Sequence, residues 1–354
     1  MSSLVKENAS LHTSDRTAGT QRLVMLALVA LLFVAIIAAL SIGRYSVGLS
    51  DLMTLVGGWF GLGEGRAAVT EPVWRVVELV RVPRMLIGAF VGAGLALSGA
   101  VLQGVFRNPL VDPHVIGVSS GAAFGGVLAI LLGLGAVALW SMAFAFGFGA
   151  LVLVVLASRK AGRSSILMLV LSGIVVSALF SALVSLATYL ADPNDTLPAI
   201  VFWLMGSFAS ATPERALYMV PIVALFAIPL LMMRFRINIL SLGDEEARAL
   251  GLRVEPSRWF ILCCVTGITA ASVANSGIIG WVGLVVPHFA RVLVGPDHNR
   301  LLPAAALLGA SFMLAVDTMA RSLVAAEIPL GVLTAIVGAP VFMLLLHRTR
   351  GEGW

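Results

Sequence analysis

The sequence predicts an all-α integral membrane protein of about ten transmembrane helices, and three observations lead there. Of 354 residues, 59% are hydrophobic and only 12% are charged, whereas a soluble chain needs about a quarter of its residues charged to cover its surface. The mean hydropathy is +1.02, and apolar runs recur at lengths near the ~20 residues that cross a ~30 Å hydrocarbon core. The 36 glycines suit helices that must approach closely where lipid supplies no hydrophobic drive for association.

Taken in order, residues 1–22 form a polar tail and 23–42 the first apolar run. That run is too long for the core of a signal peptide and reads as a retained helix. Nine more follow, at 85–106, 115–134, 136–156, 166–190, 216–233, 259–274, 278–293, 301–320 and 330–346. Several are short or broken by Gly and Pro. Irregular backbone at membrane depth survives only where protein or a watery cavity covers it, so the pattern predicts a transporter rather than an anchor. Residues 198–210 are expected to add a short helix that does not span. One ten-helix domain, 23–347, is therefore flanked by tails at 1–22 and 348–354.

The formal net charge of +5 reflects orientation, not nucleic-acid binding, because the cations sit in short loops between apolar runs. Lys6, Arg16 and Arg22 place the N-terminus in the cytoplasm, and ten crossings return the C-terminus there. Cytoplasmic segments then hold Arg107, the Arg159, Lys160 and Arg163 group, the polar island 234–258, Arg291 with Arg300, and Arg348 with Arg350. The segment 43–84 breaks the rule, carrying Arg44, Arg66, Arg75, Arg81 and Arg84 to the outer side. Snorkelling to lipid headgroups is one explanation. Cys263 and Cys264 are adjacent in an apolar run, which is neither a zinc spacing nor a pairing geometry.

No catalytic, cofactor-binding or metal-binding residue is assigned. The two lysines, Lys6 and Lys160, follow no phosphate-cradling glycine loop, so energy from ATP must come from another polypeptide. His12, His114, His288, His298 and His347 all fall outside mid-membrane positions, where a pathway ligand would be expected, and read as structural. The polar island contains Ser241, Gly243, Asp244, Glu245, Glu246, Ala247, Ala249, Leu250 and Gly251. Over 241–252 this predicts a short helix: Ser241 as cap, acids at the positive end of the dipole, Gly251 as the stop. Leu250 and Leu252, with Ala247 and Ala249, offer small and apolar surface to a partner. The plainer alternative is a solvated loop helix.

That segment resembles the coupling helix of ABC importer permeases, specifically the iron-siderophore, haem and cobalamin permease family. Further motifs agree in order along the chain. Arg81-Val-Pro-Arg84 opens the second helix. The run from Ser98 through Gln103, Asn108, Pro109, Leu110, Asp112 and Pro113 to Gly117 and Gly121 follows. Then come Trp203-Leu-Met-Gly206-Ser207, Gly283-Leu-Val-Val-Pro287-His288-Phe-Ala-Arg291, and Glu327-Ile-Pro-Leu-Gly331 through Thr334 and Gly338 to Pro340.

The resemblance implies a homodimer of ten-helix subunits with the pathway at the dimer interface. It also implies two cytoplasmic ATPase subunits, which hold the ATP and Mg, and a periplasmic substrate-binding protein, all at the bacterial inner membrane. By motif position it places Arg81, Arg84 and Arg321 on the outer face to receive acidic residues of that binding protein, a use that suits guanidinium forks. Asn108, Pro109 and Leu110 fall where related permeases close the inner end of the channel. The 166–190 helix should line the pathway with Ser172, Ser177, Ser181 and Ser185.

An uncharged wall fits a wrapped metal chelate, a ferric siderophore first, with haem, cobalamin or an oxyanion such as molybdate as alternatives. An ion-coupled secondary transporter would need mid-membrane ionisable groups. Asp317 alone lies well inside an apolar run. It is expected to be structural, bonded to Ser311, Thr318 or a neighbouring helix.

Overall fold

A computed structural model describes residues 2–158, 166–324 and 326–348, with side chains described from residue 19. The Arg159, Lys160, Arg163 and Arg350 positions lie outside the described residues, as do the side chains of Lys6, His12, Arg16, His347 and Arg348.

The described residues form helices joined by loops, with no strand among them. α1 is Ser2–Ser41, α2 Leu49–Trp59, α3 Glu71–Arg75 and α4 Val82–Phe106; a π-turn over Val76–Arg81 joins the last two. Next come α5 Val118–Leu131, α6 Ala136–Ser158, α7 Ile166–Tyr189, α8 Thr196–Leu204 and α9 Pro213–Met232. α10 Arg234–Leu242, α11 Asp244–Ala249, α12 Val254–Ser276, α13 Val282–Val294, α14 His298–Ser322 and α15 Leu330–Arg348 complete the chain. Among the described residues, seven helices are long and apolar enough to cross a membrane, and α5, α13 and α15 are shorter apolar helices. Together they correspond to the ten expected runs. The short helix expected at 198–210 forms as α8, six residues shorter at its C-terminal end.

Burial separates a centre from a rim. The most apolar windows of α4, α12 and α14 are 72%, 78% and 67% buried, against 17–28% for α1, α6, α7 and α9. The centre is glued by glycine. A Cβ on Gly92 of α4 would run into the Gly309 carbonyl of α14, and one on Gly309 into the Gly92 carbonyl. Gly99 meets the Gly283 carbonyl of α13 in the same way. The expected runs differ in one respect: α13 begins only at Val282, and residues 277–281 form a reversal. Both ends of the reversal are tied: the Gly277 amide donates to the Val273 carbonyl, Ser276 Oγ to the Gly277 carbonyl, and the Leu284 and Val285 amides to the Trp281 carbonyl, as non-helical chain at membrane depth requires.

α14 fixes the two ends of the bundle. His298 starts it beside α10, and Arg321 ends it beside the α1–α4 connection. The connection, 43–81, has a small core of its own: Leu52 and Leu55 of α2 pack with Leu40, Val47, Val73 and Val77.

Candidate functional site

At the α10–α11 end, the polar island is not one helix but two. Gly243 separates them at φ 142°, ψ 161°, a backbone state open to glycine, and its missing Cβ leaves room for the Glu246 carboxylate. Ser241 is therefore not the cap. It lies in α10, and its hydroxyl donates to the Asn238 carbonyl at 2.7 Å. The predicted stop at Gly251 does form, at φ +81°. Its amide donates to Arg248 O and the Leu252 amide to Ala247 O, both at 2.9 Å, the paired bonds of a Schellman ending.

Asp244, Glu245 and Glu246 occupy the first turn of α11 as expected. Ala247 does not face a partner; it is fully buried against its own chain. Ala249 and Leu250 are exposed, Leu250 at 61%, alongside Glu245, Glu246 and Arg248.

Two braces hold this segment to the centre. Arg258 of α12, 1% exposed, donates to Asp244 Oδ1 at 2.6 Å and reaches Glu255 at 3.4 Å. Asn238 of α10 donates to Asp297 Oδ1 at 2.6 Å and accepts from the His298 amide at 2.8 Å. Burial pushes the Asp297 carboxyl up, but the Asn299 backbone amide, the Asn238 and Asn299 side chains and nearby Arg300 outweigh it and leave it below the usual carboxylate range. On the neighbouring loop Asn108 Oδ1 accepts from the Leu110 amide at 2.9 Å. Asn108 and Leu110 are exposed and Pro109 half-buried, so the turn projects from the bundle. Gln103 behind it donates to Leu284 O and accepts from Arg291, both at 3.2 Å.

At the opposite end the three arginines are placed otherwise than expected. Arg81, Arg84 and Arg321 are only 4%, 6% and 9% exposed. Arg84 Nε donates to both Asp317 oxygens at 2.9 and 3.1 Å, while its two terminal nitrogens donate to Glu327 at 2.9 and 3.0 Å. Arg81 donates to the carbonyls of Leu40 and Tyr45, and Arg321 to that of Ala39. The Ala39 and Leu40 carbonyls are among those that the end of α1 leaves open, and Tyr45 lies in the loop just beyond. In the single chain these guanidinium groups are committed to internal acceptors rather than presented at the surface as the docking expectation required. Asp317 is bonded to a neighbouring helix, one of the expected alternatives: it pairs with Arg84 of α4 and, at 3.6 Å, with Arg321 of its own helix. Ser311 and Thr318 instead donate to carbonyls of their own helix.

Of the four α7 serines, two turn inward: Ser172 is buried, and Ser177 donates to His114 O at 3.3 Å. Ser181 and Ser185 stand on the exposed face of α7, which carries no charged residue. Near the ends of α8 and α12, a cavity of about 320 Å³ is walled by Phe202, Trp203, Ser207, Ser210 and Asn275 among others. Arg215 donates to Ser210 Oγ at its rim and lies 5.2 Å over the Trp140 ring.

The profile of the FecCD transport family matches residues 31–348. The chain belongs to the FecCD transport family. It is similar to the molybdate import system permease protein MolB of Haemophilus influenzae, with 47% identity covering 93% of this chain and 97% of the relative. It is 42% identical to a probable iron chelatin transport system permease protein of Helicobacter pylori, over 78% of this chain and 83% of that one. Among solved structures it resembles an inward-facing putative metal-chelate type ABC transporter, with a TM-score of 0.82 and 46% identity covering 92% and 98% of the two chains. This FecCD chain is accordingly a multi-pass permease of the ABC transporter class.

Within a FecCD permease, the residues that sequence reasoning missed are Arg258, Asn238 and Asp297, which hold the α10–α11 segment, and Glu327, which completes the Arg84 site. Glu327 stood inside a quoted motif and Arg258 at the edge of the polar island. Their roles were hidden because each partner lies on another helix.

Proposed function

We propose that this chain is the membrane subunit of a binding-protein-dependent importer of an oxyanion, molybdate being the cargo. Two copies form the pathway between them in the bacterial inner membrane, with both termini and α10–α11 in the cytoplasm. Two ATPase subunits bind there, and a periplasmic binding protein delivers cargo to the opposite end.

The observation that carries the cargo reading is the near full-length similarity to a molybdate permease, which extends further along both chains than the similarity to the iron chelatin permease. The exposed α7 face supports it: Ser181 and Ser185 lie there without a carboxylate to repel an anion. Coupling to ATP rests on α11, where Ala249 and Leu250 form a small apolar knob on a helix braced to α12 and α14. The Asn108, Pro109 and Leu110 turn, projecting at the same end, would close the pathway by meeting its copy across the two-fold axis. The iron chelatin relative favours a second reading, a ferric siderophore as cargo.

Reconstitution with its cognate ATPase and binding protein separates the two. ATP-driven accumulation of labelled molybdate, competed by tungstate, is the expected result. Accumulation of a ferric siderophore without molybdate would overturn the oxyanion reading and leave the permease role intact.

A further inference from the structure

The α1–α4 connection contains an amphipathic helix with half of its apolar arc uncovered. At about 100° per residue, Leu49, Leu52, Met53, Leu55, Val56, Trp59 and Phe60 fall on one continuous arc of α2. Ser50, Asp51, Thr54, Gly57 and Gly58 fill the rest. One half of the arc is used inside the protein, where Leu52 and Leu55 are buried in the small core. Trp59 at its margin donates from Nε1 to Glu78 at 2.8 Å. The other half touches little: Leu49 is 50% exposed, Met53 64% and Phe60 76%, and Leu62 just beyond is 76% exposed.

An 11-residue helix is about 17 Å long and cannot span. It is tied between the ends of two spanning helices, with seven residues between it and α1, so it lies at the level where the bilayer ends. The spanning helix before it, α1, likewise leaves Leu26, Phe33, Val34 and Ile37 exposed. Apolar side chains on one arc, a polar arc opposite and an aromatic pair at the end are the pattern of a helix lying in the membrane interface.

We infer that α2 lies flat in the lipid interface at the α1–α4 end, with Leu49, Met53 and Phe60 dipped into the acyl region and the Ser50–Thr54 side in water. The arginines of the connection agree with a site at headgroup level. Arg66 pairs with Glu78 and Arg75 with Glu71, and both guanidinium groups flank the Trp74 ring at 4.8 and 5.6 Å. With Arg81 and Arg84 buried, Arg44 alone of the five is left exposed without a partner among the described residues. The folded connection therefore presents little unpaired positive charge at this level. Membrane placement alone is required here, whatever the cargo.

Spin labels test this in the full chain. In a Cys263→Ala, Cys264→Ala background, Met53→Cys, Phe60→Cys and Ser50→Cys are labelled and reconstituted in phosphatidylethanolamine–phosphatidylglycerol vesicles. Only preparations that elute like the parent are read. The labels at 53 and 60 should favour oxygen over a water-soluble nickel chelate several-fold more than the label at 50. Equal nickel access at all three positions would overturn the placement. So would nickel access at 53 and 60 that disappears only when the binding protein is added, because the arc would then be a protein-docking surface. A second readout needs no cysteine: quenching of tryptophan fluorescence by acyl-brominated lipid should fall in Trp59→Phe. Unchanged quenching would count against the placement equally.

Discussion

Arg84 on α4 and Asp317 on α14 form a two-pronged ion pair inside the bundle, with side chains 8% and 3% exposed. The residues are 233 apart in sequence. Both remaining terminal nitrogens of Arg84 go to Glu327, so one guanidinium joins the end of α14 to the approach to α15. Breaking a buried pair by removing one partner costs about 3–5 kcal/mol, whereas replacing both by apolar residues is often neutral. Arg84→Ala and Asp317→Ala should each lower thermal stability sharply in detergent. Arg84→Met with Asp317→Leu should recover most of it. Additive losses in the double variant would show that the pair is not coupled.

Arg81 and Arg321 act on α1 in place of a capping residue. A hydrogen bond to a charged group contributes about 1.5–3 kcal/mol, and Arg81 makes two, to Leu40 and Tyr45. Arg81→Met should loosen the end of α1, read as faster amide exchange over 36–42 with little change in α12. Gly43 packs over both guanidinium groups, so Gly43→Val should produce the same local loosening. Protection unchanged in both variants would remove this capping role.

On α11 the two alanines and the leucine part ways. Leu250→Glu places a charge on exposed surface and should leave folding intact while weakening association with the ATPase subunit, measured as loss of stimulated hydrolysis. Ala247→Glu buries a charge without a partner and should lower the yield of folded protein before any question of coupling arises. Wild-type stimulation in Leu250→Glu would remove α11 from the interface.

Glycine contact between α4 and α14 gives the steepest packing test. Side chains at Gly92 or Gly309 meet opposing backbone, not a flexible tip, so relief needs the helices to separate. Gly309→Val should cost several kcal/mol, as overpacking and loss of close helix contact combine. Gly149, with open space around its Cβ position, should accept alanine with an unchanged melting temperature.

By itself the sequence determined the class, the ten crossings and the place of the α10–α11 island. It also determined the stop at Gly251, because each of these is written in local composition or in residues a few positions apart. It singled out Asp317, since a charge in an apolar run has few permitted environments, and Arg81 and Arg84 as cations that break the orientation rule, while Arg321 came from the family resemblance. Only the tertiary structure decided that these charges satisfy one another and the end of α1, that Ala247 points inward while Leu250 points out, and that Ser172 and Ser177 belong to the core while Ser181 and Ser185 do not. In a chain that is apolar on nearly every side, hydropathy records that a helix is embedded but not which way each side chain turns. That direction is set by packing against helices hundreds of residues away.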